Sequence, residues 1–178
     1  MPRCAAISTA DAVLCDANLP STALERLVAL AAGKPVFALA TSPDKAVRLA
    51  PVLDSLALVF MNRREAIALA NGGIGAAEQD IADGLRRAGL KSGVVTADDG
   101  PVLGFDEAGA FSIPPPRKVT DVAADVLAGA TVAALLRGLT LRAALREGVA
   151  AAMLAIESAA FTSAIFAEAL AFVPEAST

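Results

Sequence analysis

The chain has no histidine, tryptophan or tyrosine, and only two cysteines, Cys4 and Cys15, among its 178 residues. Without histidine, Ser-His-Asp and Cys-His nucleophile pairs are excluded, and so is zinc held by imidazole. Two cysteines make neither a disulfide framework nor a zinc site, so both read as small apolar side chains in a reducing compartment. A formal net charge of −4, with no Trp or Tyr to stack on bases, removes the footprint of a nucleic-acid binder. Long hydrophobic runs are also missing, although the mean hydropathy is +0.59. The most apolar stretches, Val126–Leu136 and Gly148–Ile156, are too short to span a bilayer and are flanked by Asp125 and Glu157, so they read as buried helices and no membrane is expected. Residues 1–10 hold one Arg and a short apolar run before Asp11, unlike a secretory leader, which makes the cytoplasm the expected location. Any chemistry is left to carboxylates, amides, hydroxyls and backbone.

A hydrophobic content of 56% over this length suits one globular domain, 1–178, with a sizeable core. Ala12–Asp16 reads as a strand, and Ser21–Ala32 as a helix with Leu24, Leu27, Val28 and Leu30 at helical spacing before Gly33. Pro35–Ala40 repeats the strand signal. Ser42 then caps a helix that has Pro43 at its first position and continues through Val47 and Leu49. Leu56–Met61 is a third strand, and Asn62 can cap a helix carrying Ile67 and Leu69 that ends at Asn71-Gly72-Gly73. A helix over Glu78–Ala88, strands at Gly93–Thr96, Val102–Phe105 and Ala110–Ile113, and a stop at Pro114–Pro116 follow. Three helices complete the order: Val122–Leu136, expected to be buried on the sheet, then Leu141–Glu157 and Ala164–Phe172. Strands alternating with helices imply an α/β fold, a mostly parallel sheet with helices on both faces.

Local motifs carry the reading further. Val13-Leu14-Cys15-Asp16-Ala17-Asn18-Leu19-Pro20 resembles the "VLDANLP" strand end of pseudouridine kinases, and Ser42-Pro43-Asp44-Lys45-Ala46 with Arg48-Leu49 resembles their "S-x-x-K-A-x-R-L" stretch. Asn62-Arg63-Arg64-Glu65 is similar to an N-x-x-E motif, and Val94-Val95-Thr96 to a strand leading into T-x-G. Asp125 falls where a G-A-G-D signature ends, Leu135–Leu141 resembles the segment after it, and Glu157-Ser158 continues the pattern. In this order, from Asp11 to Pro174, the motifs resemble the PfkB (ribokinase-type) carbohydrate kinases, closest to pseudouridine kinases.

The resemblance implies a ribokinase-like fold equivalent to the C-terminal, nucleotide-binding part of such a kinase, lacking the N-terminal strands and lid. It implies ATP and Mg²⁺ as cofactors, a sugar or nucleoside as small-molecule partner, and phosphoryl transfer to a hydroxyl. That transfer needs a base at the hydroxyl, donors around the phosphates and a metal on the phosphate oxygens. By resemblance the base is Asp125, the nucleotide is held at Thr96, Val122, Ala123 and Ala124, and the metal at Asn62 and Glu65. Asp125 can equally be a helix cap, and Asn62 with Glu65 read from the residues alone as a capping box, an alternative that the resemblance makes equal to a metal site. Gly72-Gly73-Ile74-Gly75 follows a helix and reads as a helix-ending turn, not a dinucleotide loop.

Three departures bear on activity. Val122-Ala123-Ala124 stands for Gly-Ala-Gly, adding Cβ atoms where backbone should approach phosphate closely. Thr96-Ala97-Asp98-Asp99-Gly100 lacks the first Gly of its turn, and Leu39-Ala40 replaces an Asp-Pro. Impaired transfer is expected, with a non-catalytic nucleotide-binding or interaction protein as the alternative. Apolar sheet edge left uncovered by the missing strands is expected to make the chain a homo-oligomer.

Overall fold

The structure is a computed structural model and describes residues 2–71, 77–97, 100–114, 121–156 and 163–174. The Gly72–Gly75 turn, Asp98-Asp99, Pro115-Pro116 and Glu157-Ser158 lie outside them. The chain divides into two compact units, Met1–Val95 and Thr96–Thr178. The fold is α/β, with a mostly parallel sheet flanked by helices, as the element order implies.

In the first unit, β1 (Val13–Asp16), β2 (Val36–Leu39) and β3 (Leu58–Asn62) run parallel, in register Asp16↔Leu39 and Leu39↔Phe60. β4 (Gly93–Thr96) lies beside β3, and among the described residues β1 pairs only with β2. Because the strands are parallel, Asp16, Leu39 and Asn62 end at the same side of the sheet. β2 and β3 are almost wholly buried, with Phe37, Ala38, Val59 and Phe60 at 6% exposure or less, which is why their sequences are continuous apolar runs. On β1, by contrast, Leu14 is 45% exposed. Cys15 donates weakly to the Phe37 carbonyl (3.5 Å). Its thiol is pushed up to about 11 by burial and by the neighbouring Asp16, so it stays protonated and serves as a small filler.

The crossovers are α2 (Ser21–Ala31), α3 (Pro43–Ala46) running into a 3-10 helix (Val47–Ser55), α4 (Arg63–Leu69) and α5 (Glu78–Arg87). The α-helix expected to continue through Val47 and Leu49 is therefore tightened into a 3-10 helix. Pro51, inside it, has no N–H to donate and its ring crowds the preceding turn. Leu49, Val52 and Leu53 remain buried, so the apolar spacing held while the winding changed. An N-terminal helix, α1 (Pro2–Thr9), was not expected from sequence. The Lys34 ammonium donates to the carbonyls of Ile7 (3.2 Å) and Ser8, satisfying acceptors at the helix end.

The second unit opens on an antiparallel hairpin, β5 (Val102–Asp106) and β6 (Gly109–Ile113), turned by Gly109 at φ 136°. Gly104 faces Phe111 directly; a Cβ there would fall well inside contact distance of the ring. The ring also takes a cation, with the Arg142 guanidinium 4.7 Å from its centre. Then come α6 (Asp121–Leu136), α7 (Leu141–Ile156) and α8 (Ser163–Phe172). α6 packs on α7, which packs in turn on β5 and α8. No helix among the described residues is long and apolar enough to cross a membrane.

Candidate functional site

At the carboxyl end of β3, Asn62 starts α4 with a reciprocal capping box. Its Oδ1 accepts from the Glu65 N–H (2.9 Å), and Glu65 Oε2 accepts from the Asn62 N–H (2.8 Å). Glu65 is only 5% exposed, so the box satisfies a carboxylate that would otherwise be costly to bury. The capping alternative raised by the sequence is thus realised. It commits the oxygen of Asn62 and one oxygen of Glu65, and among the described residues no group of three or more acidic or cysteine side chains could hold a metal ion. A Mg²⁺ here is compatible only with the mode in which phosphates and water supply most ligands. Glu65→Ala is expected to destabilise the protein by about 2 kcal/mol even in metal-free buffer, through the lost box and the orphaned Asn62 N–H. Thermal unfolding with and without chelator checks this; an effect seen only with metal present would make the pair a ligand set first.

Along the same edge, two motifs that lie far apart in sequence meet. Beyond β1, Asp16 Oδ1 accepts from the Asn18 N–H (2.8 Å), closing a tight turn over the buried Ala17. Arg48 reaches the turn from the 3-10 helix and donates through one nitrogen to the carbonyls of Ala17 (3.2 Å) and Asn18 (3.1 Å). Lys45 donates to Asn18 Oδ1 (2.6 Å). Between β2 and α3, the Ser42 N–H bonds to the Ala40 carbonyl (2.9 Å), which holds Thr41 at φ 66°. A β-branched residue there costs on the order of 1–3 kcal/mol. The sequence reading used Asn18, Lys45 and Arg48 as family markers and gave them no role in the site. The signal was their co-occurrence, one motif carrying the cations and the other the turn they clamp. The Asp-Pro absent from Leu39-Ala40 leaves a half-buried Leu39 and a buried Ala40 before the strained turn.

The other anticipated residues belong to the second unit. Thr96 is half-buried at the end of β4. α6 begins at Asp121, so Val122, Ala123 and Ala124 lie in its first turn, the part of a helix whose leading backbone N–H groups have no partner within it. Asp125 is the fifth helical residue and is exposed; it is not the first residue or the cap of α6. Ala123 is 1% exposed and packs inward, and Ala124 is half-buried. The first turn of a helix is where backbone donors and the positive dipole end favour an anion, and here it carries no glycine.

The pfkB family carbohydrate kinase profile matches residues 3–165. The chain belongs to that family. A solved carbohydrate kinase from Agrobacterium tumefaciens is 36% identical to it, with a TM-score of 0.84, over 98% of this chain and 58% of the other. Phosphofructokinase-2 from Escherichia coli, solved with fructose-6-phosphate (20%, TM-score 0.79, 97% of this chain and 59% of that one), shares the fold. So does ribokinase from Thermotoga maritima (21%, TM-score 0.77, 94% and 59%). The pfkB-family chain therefore spans rather less than two thirds of the length of these kinases. No curated protein sequence matches it.

Proposed function

We propose that this pfkB-family chain is a pseudouridine-kinase-like relative that holds ATP with Mg²⁺ but transfers phosphate to a sugar or nucleoside hydroxyl poorly or not at all. One observation carries the reading: the first turn of α6 runs through Val122, Ala123 and Ala124 with no glycine, and Asp125 stands exposed after it. Backbone donors support anion binding at that turn. Missing glycines limit how closely phosphate oxygens approach it.

When bound, ATP with its metal supplies the phosphoryl group and neutralises its charge. By the family resemblance Asp125 would accept the acceptor hydroxyl's proton, the first-turn amides at Val122, Ala123 and Ala124 with the Thr96 hydroxyl would hold the phosphates, and Asn62 with Glu65 would hold the metal. An exposed carboxylate does the first of these weakly, because general-base catalysis gains from a positioned, water-excluding site. Calorimetry with ATP and Mg²⁺, followed by a phosphoryl-transfer assay on the same sample with pseudouridine and ribose as acceptors, tests the proposal. Binding without turnover is expected.

A second reading, an interaction protein, is favoured by the edge at β1 of the described sheet, where Leu14 is 45% exposed and no Lys or Pro blunts the strand. It supports the expected homo-oligomer. Light scattering at micromolar concentration is expected to give a dimer or larger, and Leu14→Lys to reduce it; a monodisperse wild-type monomer would contradict this reading.

A further inference from the structure

The rim at the carboxyl ends of β1 and β2 holds two half-buried cations that no carboxylate among the described residues neutralises. Among those residues Lys45 bonds to Asn18 Oδ1, and Arg48 to the carbonyls of Ala17 and Asn18. The acidic residues beside them in sequence are Asp16 and Asp44. Neither comes within ion-pair distance of Lys45 or Arg48, and Asp16 Oδ1 is occupied by the Asn18 N–H. Neutral acceptors orient a cation without cancelling its charge, and each cation keeps donors beyond those used. Two uncompensated charges therefore sit where open α/β sheets take their ligands. Independently, the adjoining Ala40-Thr41-Ser42 turn keeps a β-branched residue at positive φ, the kind of strain that persists at ligand-contacting loops.

We propose that Lys45 and Arg48, steadied by Asn18, form an anion subsite for a phosphate group. Its occupant is either the phosphate chain of a nucleotide or a phosphate carried by the acceptor; this choice rests on the kinase-like reading above. Lys45 trades or shares its bond to Asn18 for a charge-assisted bond to a phosphate oxygen, while Arg48 keeps the turn in place and adds charge. This subsite is separate in sequence from the α6 amides.

Calorimetric titration of inorganic pyrophosphate, metal-free ATP and ribose 5-phosphate into the wild-type chain, Lys45→Met, Lys45→Arg and Asn18→Ala tests it. Lys45→Met is expected to weaken binding about tenfold or more, with Lys45→Arg and Asn18→Ala within about threefold of wild type. Loss on pyrophosphate and ATP identifies the nucleotide chain as occupant; loss on ribose 5-phosphate identifies the acceptor. If Lys45→Met lowers the melting temperature but leaves every isotherm unchanged, the lysine is only a clamp and the proposal is overturned. It is likewise overturned if neither pyrophosphate nor ribose 5-phosphate binds the wild type. ATP affinity insensitive to Lys45, with no ribose 5-phosphate binding, sinks this subsite and leaves the nucleotide-binding reading standing. Ribose 5-phosphate held through Lys45 without any ATP binding does the reverse.

Discussion

Gly148→Val is expected to destabilise the protein by about 3 kcal/mol, which for a chain of this size lowers the melting temperature by about 6–12 °C. α6 and α7 cross on small residues: Ala123, Ala128 and Ala134 on one helix, Ala144, Ala151 and Ala152 on the other, all buried. At Gly148 the helices come so close that a Cβ would lie 2.8 Å from the Leu127 carbonyl oxygen and well inside contact distance of Thr131 Oγ1. Thr131 is fully buried, with its hydroxyl turned to that same carbonyl (2.7 Å), so neither obstacle can swing away without losing a hydrogen bond. Gly129, also helical, has open space where its Cβ would be. Gly129→Ala is therefore expected to stabilise by about 0.5–1 kcal/mol through helix propensity. Thermal unfolding of both variants checks the pair of opposite signs. A neutral Gly148→Val would mean that the helices are not packed as described.

Restoring glycines at Val122 and Ala124 together is expected to tighten ATP·Mg²⁺ about tenfold while reducing stability by about 2 kcal/mol. The affinity gain follows if removing two Cβ atoms admits one or two further charge-assisted bonds to phosphate oxygens. The stability loss follows from placing glycine at two helical positions, each costing about 1 kcal/mol relative to alanine. Opposite movements of affinity and stability make the prediction specific. A general loosening of α6 would weaken both, and unchanged affinity would mean that the phosphates do not approach this turn. Asp125→Asn in the restored background is then expected to remove whatever phosphoryl transfer appears.

Much of the architecture was legible because it is written locally. β4 was placed to the residue, since Gly93-Val94-Val95-Thr96 is a short β-branched run between a glycine-ended helix and a turn. Asn62 with Glu65 announced a helix start, and both halves of the capping box are present. Features made by distant residues were not legible. Pro2–Thr9 has no amphipathic pattern to mark a helix, and its carbonyl end is held by Lys34, more than twenty residues away. The Asp16–Asn18 turn shows its own Asp-Asn chemistry in sequence, but the clamp by Lys45 and Arg48 spans some thirty residues and appears only in three dimensions. For α6 the expected start at Val122 lies one residue from the observed start at Asp121, and Asp125 is an exposed residue of its second turn.

The most direct test of the central claim is a single calorimetric titration of the wild-type chain with ATP in the presence of Mg²⁺, with the titrated sample then assayed for phosphorylated pseudouridine and ribose. Saturable binding with no phosphorylated product above background is the expected result. Turnover that Asp125→Asn abolishes would show that the altered α6 turn is fully competent, and absence of any ATP binding would show that the chain kept the kinase fold without its nucleotide site.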